Sequence, residues 1–350
     1  MKNIIGAKPE PSAAEVRFLT VDDDSAGQRL DNFLFRHLKG VPKTHVYRII
    51  RSGEVRINKG RAQADSRLET GDVLRLPPVR VAARAQEGAT PPAPGREFPL
   101  LLEDEFMLAI DKPAGVAVHG GSGVSFGVIE QLRTARPGTK FLELVHRLDR
   151  ETSGVLLVAK KRSALTALQD QFRERETGKT YLALFDGALP ANRKVLDAPL
   201  AKYLLPGVPG SSEAGERRVR VVAKDHPDAM RAITLVRVVG TLTLPGDTQP
   251  MSLLAVTIKT GRTHQIRVHL ASAGLAIVGD DKYGVFERNK QLQKLGVKRM
   301  FLHAWRLQFN HPVGGKRVSL QAGLPPELEA LVPPNLRAVL AASSTTPHHD

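Results

Sequence analysis

A run of five apolar residues at positions 155–159, Val-Leu-Leu-Val-Ala, constrains the fold more than any other stretch of the chain. Because both of its alternating faces are apolar, the run predicts a strand that is buried on both sides of a sheet. A polar string, residues 146–154, leads into it and contains one carboxylate, Asp149, among charged neighbours. A strand end can hold a reacting group steady while the adjoining loop leaves it accessible. Asp149 is therefore a candidate catalytic residue, and a surface salt bridge is the alternative interpretation.

The length of 350 residues predicts two domains, each large enough to bury a core. Residues 79–97 are biased towards Ala, Pro and Gly without periodicity, which is typical of a linker. The ends of the chain, residues 1–16 and 339–350, are predicted to be flexible tails. These boundaries leave a small first domain at residues 17–78 and a larger second domain at residues 98–338.

Positive charge is concentrated on one predicted helix of the first domain. Val46, Ile49 and Ile50 fall on one face at helical spacing, and the cations fall on the opposite face. A strand and a turn follow this helix, and two further cations lie at the turn. Such a surface can lie along phosphates, although a solvated helix face is the alternative. The cations concerned are Lys43, Arg48, Arg51, Lys59 and Arg61.

The overall charge points to a polyanionic partner. Lys and Arg number 51 against 36 for Asp and Glu, giving a formal charge of +15, which favours nucleic acid over a membrane. The chain has no cysteine, so disulfides and thiolate metal sites are excluded. No stretch has the apolar length of a secretion signal or a membrane span, so a soluble cytoplasmic protein is expected.

Three further features are open to more than one interpretation. The turn at residues 111–115, Asp-Lys-Pro-Ala-Gly, lacks the spacing of a phosphate-binding loop, which argues against nucleotide binding. His264 and His269 are five positions apart with no third ligand nearby, which argues against zinc, and Arg267 is better explained as an anion partner. Tyr181 begins an apolar strand, where packing is the ordinary role of a tyrosine.

Several strings together resemble the RluA-type pseudouridine synthases. Residues 146–154 match the signature His-Arg-Leu-Asp-x-x-Thr-Ser-Gly, and residues 261–269 match Gly-Arg-Thr-His-Gln-Ile-Arg-Val-His. The first domain resembles the S4 RNA-binding module. One departure is residues 225–228, Asp-His-Pro-Asp, where the family usually has a Gly-Lys pair. The resemblance implies an α+β fold, with a small S4 domain and a catalytic domain built on a mainly antiparallel mixed sheet flanked by helices.

The resemblance also implies roles for individual residues. Asp149 is the catalytic residue, Arg267 is the arginine paired with it, and Tyr181 stacks on a uracil that has been flipped out of its helix. Arg147 fills the space that the flipped base leaves. Contacts with RNA are expected from Arg147, Arg150, Arg262 and His264 in the catalytic domain, as well as from the five cations of the first domain. No metal and no cofactor are expected.

Within the family, the S4 module favours the RluC-like subgroup, which modifies the 23S ribosomal RNA of the large subunit. The partner is then this RNA or the pre-ribosomal large subunit, and the enzyme is expected to be a monomer that binds no membrane. RluD-like enzymes, which modify other uridines, are the nearest alternative. A non-catalytic ribosome-assembly factor and a hydrolase that uses Asp149 as a general base are alternatives from other classes.

Overall fold

The computed structural model describes residues 15–22, 25–38, 40–79, 93–121, 124–187, 189, 195–205 and 216–342. The chain divides into two compact units, Met1–Pro91 and Pro92–Asp350. Most of the predicted N-terminal tail and of the predicted linker lies outside the described residues, so the predicted limits of these two segments stay predictions.

The first unit is a small antiparallel sheet covered on one face by two helices. Its inner strand residues and the buried sides of both helices form one apolar core, which includes Leu34, Ile49 and Leu74. The strands are ordered β1-β4-β2-β3. The elements are β1 (Arg17–Thr20), α1 (Leu30–His37), α2 (Lys43–Arg51), β2 (Arg56–Ile57), β3 (Gly60–Arg61) and β4 (Val73–Leu76).

The helical periodicity in the first unit correctly predicted which side of α2 is buried. Val46, Ile49 and Ile50 are buried in the core, and the basic residues of the helix are exposed. The predicted strand at residues 54–58 is shorter in the structure, because β2 pairs only through Arg56 and Ile57. Asn58 and Lys59 both have positive φ, 48° and 69°, which is the backbone of a tight two-residue hairpin turn.

The second unit is built on a large mixed sheet that is mainly antiparallel. Its strand order is β10-β13-β14-β9-β15-β8-β6-β5, with β16 added beside β15 and β7 beside β8. The pairing of β8 with β15 is parallel. The strands are β5 (Leu100–Glu103), β6 (Met107–Lys112), β7 (Glu143–Leu144), β8 (Ser153–Ala159), β9 (Gly178–Asp186), β10 (Val195–Asp197), β13 (Ile233–Leu242), β14 (Met251–Ile258), β15 (Leu302–Asn310) and β16 (Arg317–Gln321), and a separate pair comprises β11 (Leu200–Leu204) and β12 (Arg217–Val221).

Helices flank the sheet of the second unit, so the predicted α+β class is confirmed. The helices are α3 (Val128–Ala135), α4 (Arg162–Glu174), α5 (Gln265–Ser272), α6 (Phe286–Lys294), α7 (Pro326–Glu329) and α8 (Pro334–Ala342). In the described part of the chain, none of the helices has both the length and the apolar character that crossing a bilayer requires.

The strand β8 is buried on both faces, as its composition predicts. Every residue of Ser153–Ala159 is buried. Val155 and Leu157 pack into one apolar cluster, and Leu156 and Val158 pack into another on the opposite face of the sheet. This strand therefore gives a rigid support to the loop that precedes it.

The predicted end of the second domain at residue 338 is wrong. Residues 339–342 are the last part of α8, and Leu340 is buried in an apolar cluster together with Leu336. A helix that buries a leucine near its end is fixed to the core, so a flexible tail cannot begin at residue 339. Residues 343–350, the rest of the predicted tail, lie outside the described residues.

Candidate active site

The loop that carries Asp149 runs from β7 to β8 and is fixed at both of its sides by backbone contacts. On one side, the buried Lys112 donates hydrogen bonds to the carbonyl oxygens of Pro113, Val116 and Arg150, at 2.8, 2.8 and 3.1 Å. The Gly115 amide also donates to the Arg150 carbonyl, at 2.9 Å. Burial lowers the pKa of Lys112 to about 7. The three carbonyl oxygens act in the opposite direction, because together they can accept all three N–H groups of a charged ammonium.

On the other side, Gly154 brings β8 against β15. Gly154 has φ +110°, and a Cβ atom there would lie 2.2 Å from the Ala304 carbonyl oxygen. Only glycine satisfies both conditions, since other residues rarely adopt this φ and would collide with β15. The backbone just after Asp149 is thereby held in one position.

A small cavity of about 100 Å³ brings the three candidate catalytic residues together. Asp149 comes from the loop before β8, Tyr181 from β9 and Arg267 from α5. Arg147, Arg262 and His264 also line this cavity. Two wider cavities, of about 710 and 890 Å³, share the Arg147 and Arg262 lining with it. The site is therefore a small pocket at the base of a broad, basic cleft.

Arg267 forms its main ion pair with Asp280 rather than with Asp149. Its Nε and Nη2 atoms donate to the two carboxylate oxygens of Asp280, both at 2.7 Å, whereas Nη1 lies 3.5 Å from Asp149 Oδ2. The Arg267 and Asp280 side chains are only 6% and 1% exposed. The predicted pairing of Arg267 with Asp149 is present as a longer contact, and the bidentate pair with Asp280 holds the guanidinium in place.

The electrostatics of this pair follow from its burial. Burial opposes the charge of Arg267, but hydrogen bonding to Asp280 and the charges of Asp280 and Asp149 raise its pKa. For Asp280, burial acts to raise the pKa, and the bonds from Arg267 outweigh this and lower it. Backbone amides of Lys282 and Tyr283 also donate to Asp280 Oδ1, at 2.9 and 3.1 Å. Both groups are therefore charged, and the guanidinium faces Asp149 with its remaining nitrogen.

His264 adopts a strained backbone conformation that directs its ring into the site. It has φ 51° and ψ 22°, in the left-handed region that non-glycine residues seldom occupy. Its Nδ1 lies 2.7 Å from Tyr283 Oη, which in turn accepts from the Val219 amide at 3.2 Å. The Tyr283 hydroxyl can donate to Nδ1, and in that arrangement the ring proton lies on Nε2, 3.9 Å from Asp149 Oδ2. Burial lowers the pKa of His264, although the charge of Asp149 acts in the opposite direction.

Tyr181 lines the small cavity together with Asp149, and its side chain is only partly exposed to solvent. The ring packs against two apolar clusters and lines the 100 Å³ cavity. Burial, and to a lesser extent the charge of Asp149, raises the pKa of the Tyr181 hydroxyl. The phenol is therefore protonated at neutral pH and can donate a hydrogen bond.

The residues predicted to contact RNA do not all lie in the small cavity. Arg147 is exposed and lines all three cavities, and Arg262 donates from Nε to the Arg231 carbonyl at 3.2 Å. Arg150 lines only the 710 Å³ cavity and donates from Nε to the Gly115 carbonyl at 3.1 Å.

The five cations of the first unit are all exposed. Lys43, Arg48 and Arg51 project from α2, and the Lys43 ammonium lies 5.3 Å from the centre of the Phe35 ring. Lys59 is at the hairpin turn, and Arg61 Nη2 lies 3.4 Å from the Ser52 carbonyl oxygen. Arg51 and Arg61 line one depression of the first unit, and Lys59 lines another.

Three residues of the site escaped the sequence analysis, namely Asp280, Tyr283 and Gln265. The sequence does not identify Asp280, because no spacing rule links a carboxylate to an arginine thirteen positions earlier. Gln265 Oε1 accepts from Thr260 Oγ1 and from the Arg262 amide, at 2.7 and 3.1 Å, and so fixes the turn before α5. A buried arginine requires an acidic partner, so a search for the partner of Arg267 would have made Asp280 a candidate.

The fold and this site define a class of RNA-modifying enzyme. The model of the RNA pseudouridylate synthase family matches residues 107–272, and that of the S4 domain matches residues 28–74. The chain belongs to the RNA pseudouridylate synthase family and carries an S4 domain, which confirms the predicted family and enzyme class.

Similar proteins include ribosomal large subunit pseudouridine synthases from two bacteria. The ribosomal large subunit pseudouridine synthase C of Pasteurella multocida is 46% identical over 91% of this chain and 93% of its own length. The protein of the same name from Escherichia coli (strain K12) is 47% identical over 88% and 92%. The solved structure of human RNA pseudouridylate synthase domain containing 4 matches with a TM-score of 0.51 and 26% identity, over 66% of this chain and 90% of that one.

Proposed function

We propose that this enzyme converts specific uridines of 23S ribosomal RNA, in the large ribosomal subunit, into pseudouridine. The names of its relatives support the substrate, and the observation that carries the chemistry is the cavity in which Asp149, Tyr181 and Arg267 meet. We propose that it works as a monomer in the cytoplasm.

The reaction breaks the N1–C1′ bond of a uridine, turns the uracil, and joins C5 to C1′. C5 loses a proton and N1 gains one, so the change is an isomerisation without net oxidation or reduction. The ionised Asp149 can attack C1′, attack the uracil ring, or remove a proton from C2′, and all three routes need the carboxylate to be charged. The Arg267 guanidinium, held by Asp280 at 2.7 Å, supplies a positive charge 3.5 Å from the Asp149 carboxylate.

A uridine can reach Asp149 only if its base leaves the RNA stack, which costs about a few kcal/mol. The ring of Tyr181, which lines the cavity beside Asp149, is placed to stack on the extruded uracil. Arg147 is exposed at the point where the small cavity meets the wider cleft. Its planar guanidinium is suited to fill the gap in the RNA.

Replacing Tyr181 separates stacking from the role of the hydroxyl. Tyr181→Leu is expected to lower kcat/KM about 10- to 100-fold, because base stacking on an aromatic ring contributes about 1–3 kcal/mol. Tyr181→Phe keeps the ring, so KM is expected to stay close to that of the wild type while kcat falls, since the hydroxyl assists removal of the C5 proton. Tritium release from [5-³H]uridine RNA measures both constants. Equal kinetics for Tyr181→Phe and Tyr181→Leu would contradict a stacking role.

The exposed cations of α2 are proposed to bind the phosphates of the same RNA. The triple variant Lys43→Gln/Arg48→Gln/Arg51→Gln is expected to bind a ribosomal RNA fragment more weakly and with a flatter salt dependence. Log K falls as log salt rises, and each lost phosphate contact reduces the magnitude of this negative slope by about 0.7 to 0.9. Filter binding at several salt concentrations measures the slope. An unchanged slope would show that α2 does not contact RNA.

Two alternatives remain to be separated from the proposal. RluD-like specificity would keep the reaction and change the uridines, and an assembly factor would bind the RNA without modifying it. Pseudouridine mapping in ribosomal RNA from cells that lack the gene, with and without the gene restored, distinguishes all three. Loss of particular 23S pseudouridines identifies the sites, and an unchanged map would refute the proposed function.

A further inference from the structure

The outer face of the sheet in the first unit carries an aromatic residue beside a row of arginines. In the strand register, Phe18 on β1 is opposite Arg75 on β4, and Arg75 is opposite Arg56 on β2. Residues directly opposite each other in a sheet project from the same face. The neighbouring pairs, such as Leu19 with Leu74, point to the other face and pack in the core with α1 and α2. The outer row therefore lies on the side of the sheet that the helices do not cover.

The aromatic side chain in this row is largely open to solvent. Phe18 is 65% exposed and Val73, on the same face, is 40% exposed. Both line a shallow depression of about 1050 Å³. A single exposed phenylalanine is unremarkable on a protein surface, but one that stands at the rim of a charged depression is a candidate for binding.

The charges of the depression are mainly positive. Three cations line it, Arg56, Arg75 and Lys59, against one acid, Glu54. Among the described residues, the Arg56 side chain has neither a hydrogen-bond nor an ion-pair partner. Arg75 uses one nitrogen, Nη1, to donate to the Glu54 carbonyl at 2.9 Å, so its other nitrogens are available.

We propose that this face binds an unpaired segment of RNA, with a base stacked on Phe18 and the adjoining phosphates bound by Arg56, Arg75 and Lys59. The inference rests on the proposed RNA substrate. An aromatic ring next to guanidinium groups complements a base next to a phosphate, and only an unpaired base can present its face to a side chain. The first unit would then hold RNA on two sides, with α2 on one side of the sheet and this row on the other.

A tryptophan in place of Phe18 provides a direct test. The natural chain has a single tryptophan, Trp305, which is buried and gives a constant background. In the full-length protein, titration of Phe18→Trp with a single-stranded oligouridylate is expected to quench the new fluorescence, because the base stacks on the indole. Phe286→Trp, at another exposed phenylalanine in α6, is the matched control and is expected to keep its emission. Quenching of neither reporter, or of both equally, would overturn the proposal.

Affinity measurements separate stacking from charge. Phe18→Ala and Phe18→Leu are each expected to weaken oligouridylate binding about tenfold, with an unchanged salt slope and unchanged affinity for a blunt RNA duplex. Arg56→Gln/Arg75→Gln is expected to reduce the magnitude of the negative salt slope by about 1.4, whereas the control Arg36→Gln, on α1, leaves it unchanged. If Phe18→Leu binds with wild-type affinity, stacking is refuted, and an apolar partner is then the remaining explanation for this exposed face.

The outcomes also distinguish this inference from the proposed function. If the wild type forms pseudouridine in ribosomal RNA but the Phe18 and arginine variants bind RNA normally, only the inference about the sheet face fails. If the wild type forms no pseudouridine in ribosomal RNA while Phe18→Trp is quenched, the proposed substrate fails and the binding surface stands.

Discussion

Asp149→Asn is expected to lower kcat by on the order of 10³-fold or more and to leave RNA affinity within about twofold of the wild type. The substitution keeps the shape of the side chain and removes the charge on which every proposed route depends. Stability is expected to change little, because the Asp149 side chain is 27% exposed and Arg267 keeps its bidentate partner Asp280. Tritium release in single-turnover conditions measures the rate, and filter binding measures the affinity.

The neighbouring Glu151 provides the control for this experiment. Glu151→Gln removes one negative charge from the same loop, where Glu151 pairs with Arg150 at 3.3 Å near the surface. Activity close to that of the wild type is expected, because Glu151 does not line the small cavity. A kcat for Asp149→Asn within about tenfold of the wild type would refute the catalytic role of Asp149.

The second large effect is expected at Arg267. Arg267→Met leaves Asp280 buried without its partner, which is expected to cost about 3–5 kcal/mol of unfolding free energy. In the wild type, the lowered pKa of Asp280 stabilises the folded protein above pH 4 and this contribution is lost as the pH falls further. In the variant, burial raises the pKa of Asp280, so the stability difference from the wild type is expected to shrink as the pH is lowered from 7 to 5. Urea denaturation at several pH values measures this.

A double variant separates structure from chemistry at the same position. Arg267→Met/Asp280→Asn removes both charges of the buried Arg267–Asp280 pair, and the amide oxygen of residue 280 can still accept from the Lys282 and Tyr283 amides. Most of the lost stability is expected to return, while kcat stays at least about 100-fold below that of the wild type, because Asp149 still lacks the nearby guanidinium. Recovery of activity together with stability would show that Arg267 has only a structural role.

Local patterns in the sequence predicted the parts of the fold that depend on local physics. The burial of β8 followed from an unbroken apolar run, and the exposed face of α2 followed from helical periodicity. Element ends were less predictable, because they depend on tertiary contacts. β2 is limited to the residues that pair with β4, and α8 extends to Ala342 because Leu340 is buried.

The site was predictable only in part. Asp149, Tyr181 and Arg267 were identified through the resemblance, and no periodicity could have shown that a loop, a strand and a helix bring them to one cavity. The bidentate partner of Arg267 was missed because the contact joins α5 to a turn in the folded protein. The left-handed conformation of His264 was missed for the same reason, since it arises where the chain turns from β14 into α5.

Every residue that lines the 100 Å³ cavity belongs to the second unit. The residues proposed to make and break bonds therefore all lie in the second unit, whereas the α2 surface proposed to bind RNA phosphates lies in the first unit. Exchange of the first unit for a different RNA-binding module is therefore a rational route to programmable pseudouridylation, because such a chimaera inherits the reaction centre whole.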